Sequence, residues 1–128
     1  MGAEAIVERF LAAFSAADFD AMRELLAPDL VASVTNAAGD VDRVEGRDGY
    51  LSRIEAMDLP AANFRVELTQ RPVATGPDLV MAMVEVRAER DGRTLHNFAA
   101  HLLRIADGQI AEWWMVEAKP TESDAFWA

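Results

Sequence analysis

Two Asp-Gly pairs, Asp91-Gly92 and Asp107-Gly108, constrain this chain more than any other feature. Each lies between runs with strand character: DLVMAMVEVRAER precedes the first, RTLHNFAAHLLRIA separates the two, and QIAEWWMVEA follows the second. Asp-Gly accepts positive φ at both central positions, which a two-residue antiparallel turn requires. Upstream, FRVELTQRPV alternates apolar and polar residues. The stretch after Asn63 therefore predicts a meander of about four antiparallel strands.

The first half has a different period. Ile6, Val7, Phe10, Leu11 and Phe14 recur at three and four residues, which predicts a helix over Ala3 to Ala17. Asp18 or Asp20 can cap a shorter helix carrying Phe19, Met22, Leu25 and Leu26, and Pro28 is expected to end it. LVASVT reads as a strand and NAAGD as a turn. Asp48 can cap a third helix running through Met57, with Tyr50, Leu51, Ile54 and Met57 inward, closed by Pro60. Helices first and strands later predict an α+β fold, with three N-terminal helices packed on a strongly curved, mostly antiparallel sheet. No repeat, low-complexity tract or linker interrupts it, so residues 1–128 read as a single domain. Such a sheet closes into a cone, and cones of this size suit a small apolar ligand.

Composition removes several classes of chemistry. With no cysteine, thiolate catalysis, disulfides and cysteine-ligated metals are excluded. Two histidines argue against a His-rich metal site, so neither metal nor cofactor is expected. The net charge of −10, without a basic stripe, makes nucleic acid and anionic membranes poor partners. No apolar run is long enough to span a bilayer. The N-terminal MGAEAIVERF lacks the apolar segment of a signal peptide, so the cytoplasm is the expected compartment.

The segments FLAAFSAADFDAMRELLAPDLV, EGRDGYLSRIEAM and LLRIADGQIAEWWMVEA, in that order, resemble the nuclear transport factor 2-like superfamily. Within it the chain looks most like the SnoaL-type branch of polyketide cyclases, related to ketosteroid isomerases. The resemblance covers nearly the whole chain and implies a cystatin-like cone. It does not imply one activity, because the family spans isomerases, cyclases, dehydratases, epoxide hydrolases and non-catalytic modules. The tyrosine, carboxylate and aspartic acid that the isomerases use match Phe10, Val34 and His101 here. An apolar side chain neither takes nor shares a proton, so two of those three roles are lost. The cyclases' histidine on the penultimate strand matches His101. Their aspartate on the last strand falls on Met115, and the nearest carboxylate on that strand face is Glu117. The epoxide hydrolases' Asp-Arg-Asp set has no evident counterpart.

Pairing across Asp91-Gly92 sets Val84 opposite Ala99 and Ala82 opposite His101. That face carries Val86, Asn97, Leu103 and Ile105 as well, and is the more apolar, so it is expected to face inward. The other carries Met83, Glu85, Arg87, His96, Phe98 and Leu102. For the last strand two registers are open. A plain two-residue turn at Asp107-Gly108 brings Glu112, Trp114 and Val116 to the His101 side. A one-residue bulge brings Trp113, Met115 and Glu117 there instead, as the resemblance implies.

The candidate catalytic residues are His101, as an acid/base or ligand-orienting group, and Glu117, as the partner that would hold its tautomer. The candidate ligand wall comprises Phe10, Phe14, Val34, Tyr50, Ile54, Asn97, Trp113 and Met115. A satisfied core histidine and a solvated glutamate are the plainer alternatives. The expected partners are a small hydrophobic molecule and a second copy of the chain, paired through the outer sheet face. Phe126 and Trp127 are expected to dock the tail over the sheet or cone mouth, or onto a second subunit. The functional expectation is ligand binding in the cone, with cofactor-free isomerisation, cyclisation or dehydration; the alternative is a non-catalytic ligand-binding or dimerisation module.

Overall fold

Helix α1 (Ala3–Ser15) buries Ile6, Val7, Phe10 and Leu11, the stripe that the spacing marks. The structure, a computed structural model, describes residues 2–128. A short helix α2 (Phe19–Leu25) follows, capped by the Asp18 carboxylate, which accepts from the Ala21 N–H at 3.2 Å. Strand β1 (Leu26–Thr35) begins directly after it, earlier than expected, and Pro28 lies within the strand rather than simply closing the helix. Proline is tolerated there because the ladder to β7 is irregular between Leu26 and Val31, where no partner needs its missing N–H.

After the turn at Asn36 the chain returns in β2 (Val41–Glu45), antiparallel to β1. Sequence reading gave only the turn, because β2 is an edge strand with little apolar content. Helix α3 (Arg47–Glu55) starts after Gly46, whose φ of 90° lies in the region that glycine reaches without strain. Asp48 is not its cap; its carboxylate pairs with Arg23. Tyr50, Leu51 and Ile54 are buried as the spacing requires.

Then come β3 (Arg65–Leu68), the short β4 (Val73–Ala74), β5 (Leu79–Arg90), β6 (Arg93–Ala106), β7 (Gln109–Glu117) and a fourth helix, α4 (Pro120–Trp127). Asp91, Gly92, Asp107 and Gly108 all have positive φ, as the two tight turns demand. The seven strands of the described residues form one sheet in the order β2-β1-β7-β6-β5-β3, with β4 beside β5. Among the described residues only β1 and β7 run parallel; the other pairs are antiparallel. The fold is thus α+β, a curved open sheet with helices against its concave face. The expected three helices are joined by a fourth at the C-terminus, because PTESDAFW docks as a helix rather than an extended tail.

One apolar core joins α1 and α3 to the inner sheet face, centred on Phe10, Leu30, Leu51, Val84, Leu103 and Trp113. A smaller cluster of Ala62, Ala88, Leu95 and Phe126 anchors α4. Among the described residues no helix is long and apolar enough to cross a membrane.

Candidate functional site

The β5–β6 register is the one that Asp91-Gly92 dictates, with Ala82 opposite His101 and Val84 opposite Ala99. Between β6 and β7 the ladder shifts by one: Ile105 faces Ile110, whereas Arg104 faces Glu112. Ala111 is therefore the extra residue of a bulge, and Trp113, Met115 and Glu117 point inward. The inward side chains fall in rows. Ala32, Trp113 and Leu103 form the innermost; Val34, Met115, His101 and Ala82 the next; Glu117, Ala99 and Val84 the third. Burial declines along β7 from Trp113 to the half-buried Met115 and Glu117, and along β1 from Ala32 to the half-buried Val34 and Asn36. The cone opens on that side.

These rows floor a cavity of about 340 Å³. That lies within the span of about 300–1,000 Å³ common for small-molecule sites. Of the expected wall, Phe14, Val34, Tyr50, Ile54, Trp113 and Met115 line it together with His101 and Glu117. Two residues do not. Phe10 is fully buried behind Trp113, edge-on at 5.0 Å between ring centroids, and serves the core. Asn97 is consumed by the backbone: its Oδ1 accepts from the N–H groups of Phe98 and Lys119, each at 2.9 Å, and its Nδ2 reaches Lys119 O and Glu117 Oε1, each at 3.4 Å. It ties the end of β7 to β6.

His101 is 5% exposed, and the Trp113 indole N–H donates to its Nδ1 at 2.6 Å. An indole nitrogen can only donate, so Nδ1 must be the accepting nitrogen and the ring proton sits on Nε2. Burial pushes the His101 pKa down to about 4, so the ring is neutral at pH 7. Nε2 is buried and has no hydrogen-bond partner among the described residues. An unsatisfied buried donor costs roughly 1–3 kcal/mol. With one lone pair taken and the other nitrogen protonated, this imidazole can donate a hydrogen bond but has no free site to accept a proton.

The expected pairing of Glu117 with His101 does not form. Glu117 lies one row nearer the opening, opposite Ala99, and its Oε1 accepts from Ser123 Oγ at 2.8 Å. Burial raises its pKa, the Ser123 hydrogen bond opposes that, and neighbouring Asp124 adds to the rise. A carboxyl held this way can exchange protons nearer neutrality than an ordinary glutamate.

Sequence reading missed the rest of the rim. Asn36, Asp42 and Arg53 line one side of the cavity, and Ser123, Asp124 and Trp127 the other. Asn36 Nδ2 donates to Asp42 Oδ1 at 3.2 Å, and Arg53 lies 3.6 Å from Asp42 Oδ2. Arg53 was findable, since it shares α3 with Tyr50 and Ile54 and is next to the latter. The α4 residues carried a signal too, a proline at the first turn followed by an acid, as helix starts favour. Asp42 had none, because its strand was not legible.

A curved sheet closed by helices around an internal cavity, with a buried donor at depth and a carboxyl toward its opening, defines the class: an α+β cone. The comparisons place the chain within it. A family model described as SnoaL-like domain matches residues 7–113. The chain belongs to that family, within the nuclear transport factor 2-like superfamily. An uncharacterized protein of Mycobacterium tuberculosis is 27% identical over 124 residues, covering 96% of this chain and 94% of that one. A Xanthomonas campestris protein of unknown function with a cystatin-like fold superposes with a TM-score of 0.86 at 25% identity, covering 100% of this chain and 99% of its own. IdmH of Streptomyces antibioticus, a proposed polyketide cyclase, superposes with a TM-score of 0.76 at 24% identity over the whole of both chains.

Proposed function

We propose that this protein binds a small, largely apolar organic molecule in its cone, with His101 Nε2 donating a hydrogen bond to it. The observation that carries this reading is the buried, unpartnered Nε2 on the wall of a largely apolar cavity. A folded chain tolerates such a donor at a cost, and a bound acceptor would remove that cost.

The same arrangement suits cofactor-free proton transfer at a carbon next to a carbonyl, as an isomerisation, cyclisation or dehydration requires. His101 would stabilise charge developing on the carbonyl oxygen, acting as a fixed neutral donor. Glu117 would carry the proton, and Ser123 and Asn97 would hold its carboxyl in place. The role of base thus moves from the histidine to the glutamate. A non-catalytic ligand carrier is the second reading, favoured by Phe10 and Val34, which stand where the related isomerases place a donor and a base.

Native mass spectrometry of the protein purified from its own host tests binding, and a retained small molecule is expected. Incubation with that molecule then separates the readings. Glu117→Gln losing turnover while keeping the bound mass selects the enzyme; no turnover by the unaltered protein selects the carrier. A protein that retains no ligand, and takes up none from a panel of two-ring compounds, would end the proposal.

A further inference from the structure

We propose that the cavity selects an uncharged aromatic molecule bearing one acceptor oxygen, seated with that oxygen on His101 Nε2, and turns away the corresponding carboxylates; this rests on the ligand-binding reading above. Three independent observations converge on it.

The first is the wall. Phe14, Tyr50, Phe64, Trp113 and Trp127 all line the cavity, so five rings face its space between aliphatic neighbours such as Val34, Ile54 and Val84. Rings prefer offset or edge-on partners at about 4.5–7 Å, and a planar ligand satisfies several at once. Phe14 lies 5.2 Å from Phe64 and Tyr50 5.3 Å from Trp113, which leaves their faces and edges turned at mixed angles.

The second is the donor. The Trp113 indole fixes the His101 proton on Nε2, where no side chain or backbone group among the described residues accepts it. A ketone, ester, ether or hydroxyl oxygen would. A purely hydrocarbon ligand of the same shape would leave it orphaned, which is the situation in which a buried site discriminates most strongly.

The third is charge. The ionisable side chains lining the cavity, apart from neutral His101 and Tyr50, are Asp42, Glu117 and Asp124 against Arg53 alone. Arg53 already faces Asp42, and the whole chain carries a net charge of −10. A carboxylate entering here would lose hydration and meet an excess of negative charge, with no unshared cation to receive it.

Three isosteric probes separate these requirements: 2-acetylnaphthalene, 2-isopropenylnaphthalene and 2-naphthoate. Their dissociation constants are measured by equilibrium dialysis at neutral pH, where the naphthoate is ionised. The ketone should bind about tenfold more tightly than the alkene, the size of one net hydrogen bond in a dry site. It should bind at least about tenfold more tightly than the carboxylate as well. Asp124→Asn, at an exposed position, should narrow the gap between carboxylate and ketone. Equal affinity for ketone and alkene, or for ketone and carboxylate, overturns the selectivity while leaving the cavity as a binding site. Binding of none of the three overturns the ligand-binding reading itself.

Discussion

Trp113 donates its indole N–H to Nδ1 of His101, and both rings are buried. Desolvation disfavours the charged imidazolium, and among the described residues no carboxylate bonds to the ring to offset it. The consequence is a stability that depends on pH in a defined window. The unfolded chain binds a proton at His101 near pH 6.5, whereas the folded chain does so only near 4. Between those values the unfolded state holds more protons, so the contribution of His101 is complete above about pH 6.5 and is lost as pH falls toward 4. At 1.36 kcal/mol per unit the loss approaches about 3 kcal/mol. Glu117 acts in the opposite sense: its raised pKa makes the folded state the better proton binder, so acidification relieves it. Urea denaturation of the protein and of His101→Gln, which keeps an acceptor for the indole, isolates the histidine. From pH 7.5 to 4.5 the unaltered protein should lose about 2 kcal/mol more than the variant. Parallel losses would show that the imidazole is not neutral by burial.

At the scale of elements, the bulge at Ala111 and the docking of α4 build the cavity. One extra residue in β7 turns Trp113, Met115 and Glu117 inward and sends Trp114 and Val116 to the outer face. Helix α4 is fixed by Phe126, which packs on Ala62, Ala88 and Leu95, and by Arg90 and Arg93, which donate to the carbonyls of Phe126 and Ala125 at 3.1 and 3.2 Å. That anchorage places Ser123 on Glu117 and Trp127 on the cavity wall. Removing a buried phenylalanine costs about 3–5 kcal/mol, less where a terminal element can detach. Phe126→Ala should therefore release α4 with little effect elsewhere. Hydrogen exchange should accelerate across residues 120–127 while β5, β6 and β7 remain protected. Unchanged exchange in α4 would mean that its arginine contacts suffice.

For the whole molecule, the outer sheet face carries an exposed apolar strip. Met81, Leu102 and Trp114 stand in one row across β5, β6 and β7, and Met83, Ala100 and Val116 in the next. Met81, Met83, Phe98, Trp114 and Val116 are each between 37% and 54% exposed. A contiguous apolar strip on an acidic protein favours association, and a second copy presents the same strip. Sedimentation velocity should find a dimer that tightens with added salt, because each copy carries a net charge of −10. Trp114→Glu should give a monomer with an unchanged fold. A monomer at every protein concentration before any substitution would refute the pairing.

The sequence by itself determined the parts that local chemistry controls. The period of α1, a helix cap at Asp18 or Asp20, the two Asp-Gly turns and the inward face of β5 and β6 follow from local pattern; the structure keeps them and sets the cap at Asp18. The shape of the cone followed from these elements and from the resemblance. Register in β7 stayed open because a bulge is chosen by which face buries its side chains, and Trp113 and Trp114 are equally apolar. Edge strand β2 and helix α4 escaped notice or form because their stability comes from partners distant in sequence. The tertiary structure alone decided the chemistry of the site: that His101 meets Trp113 and not Glu117, that Glu117 meets Ser123 and not the histidine, and that Phe10 and Asn97 support the wall from behind. Proton positions and hydrogen-bond partners depend on distances of a few tenths of an ångström, which only the packed chain sets.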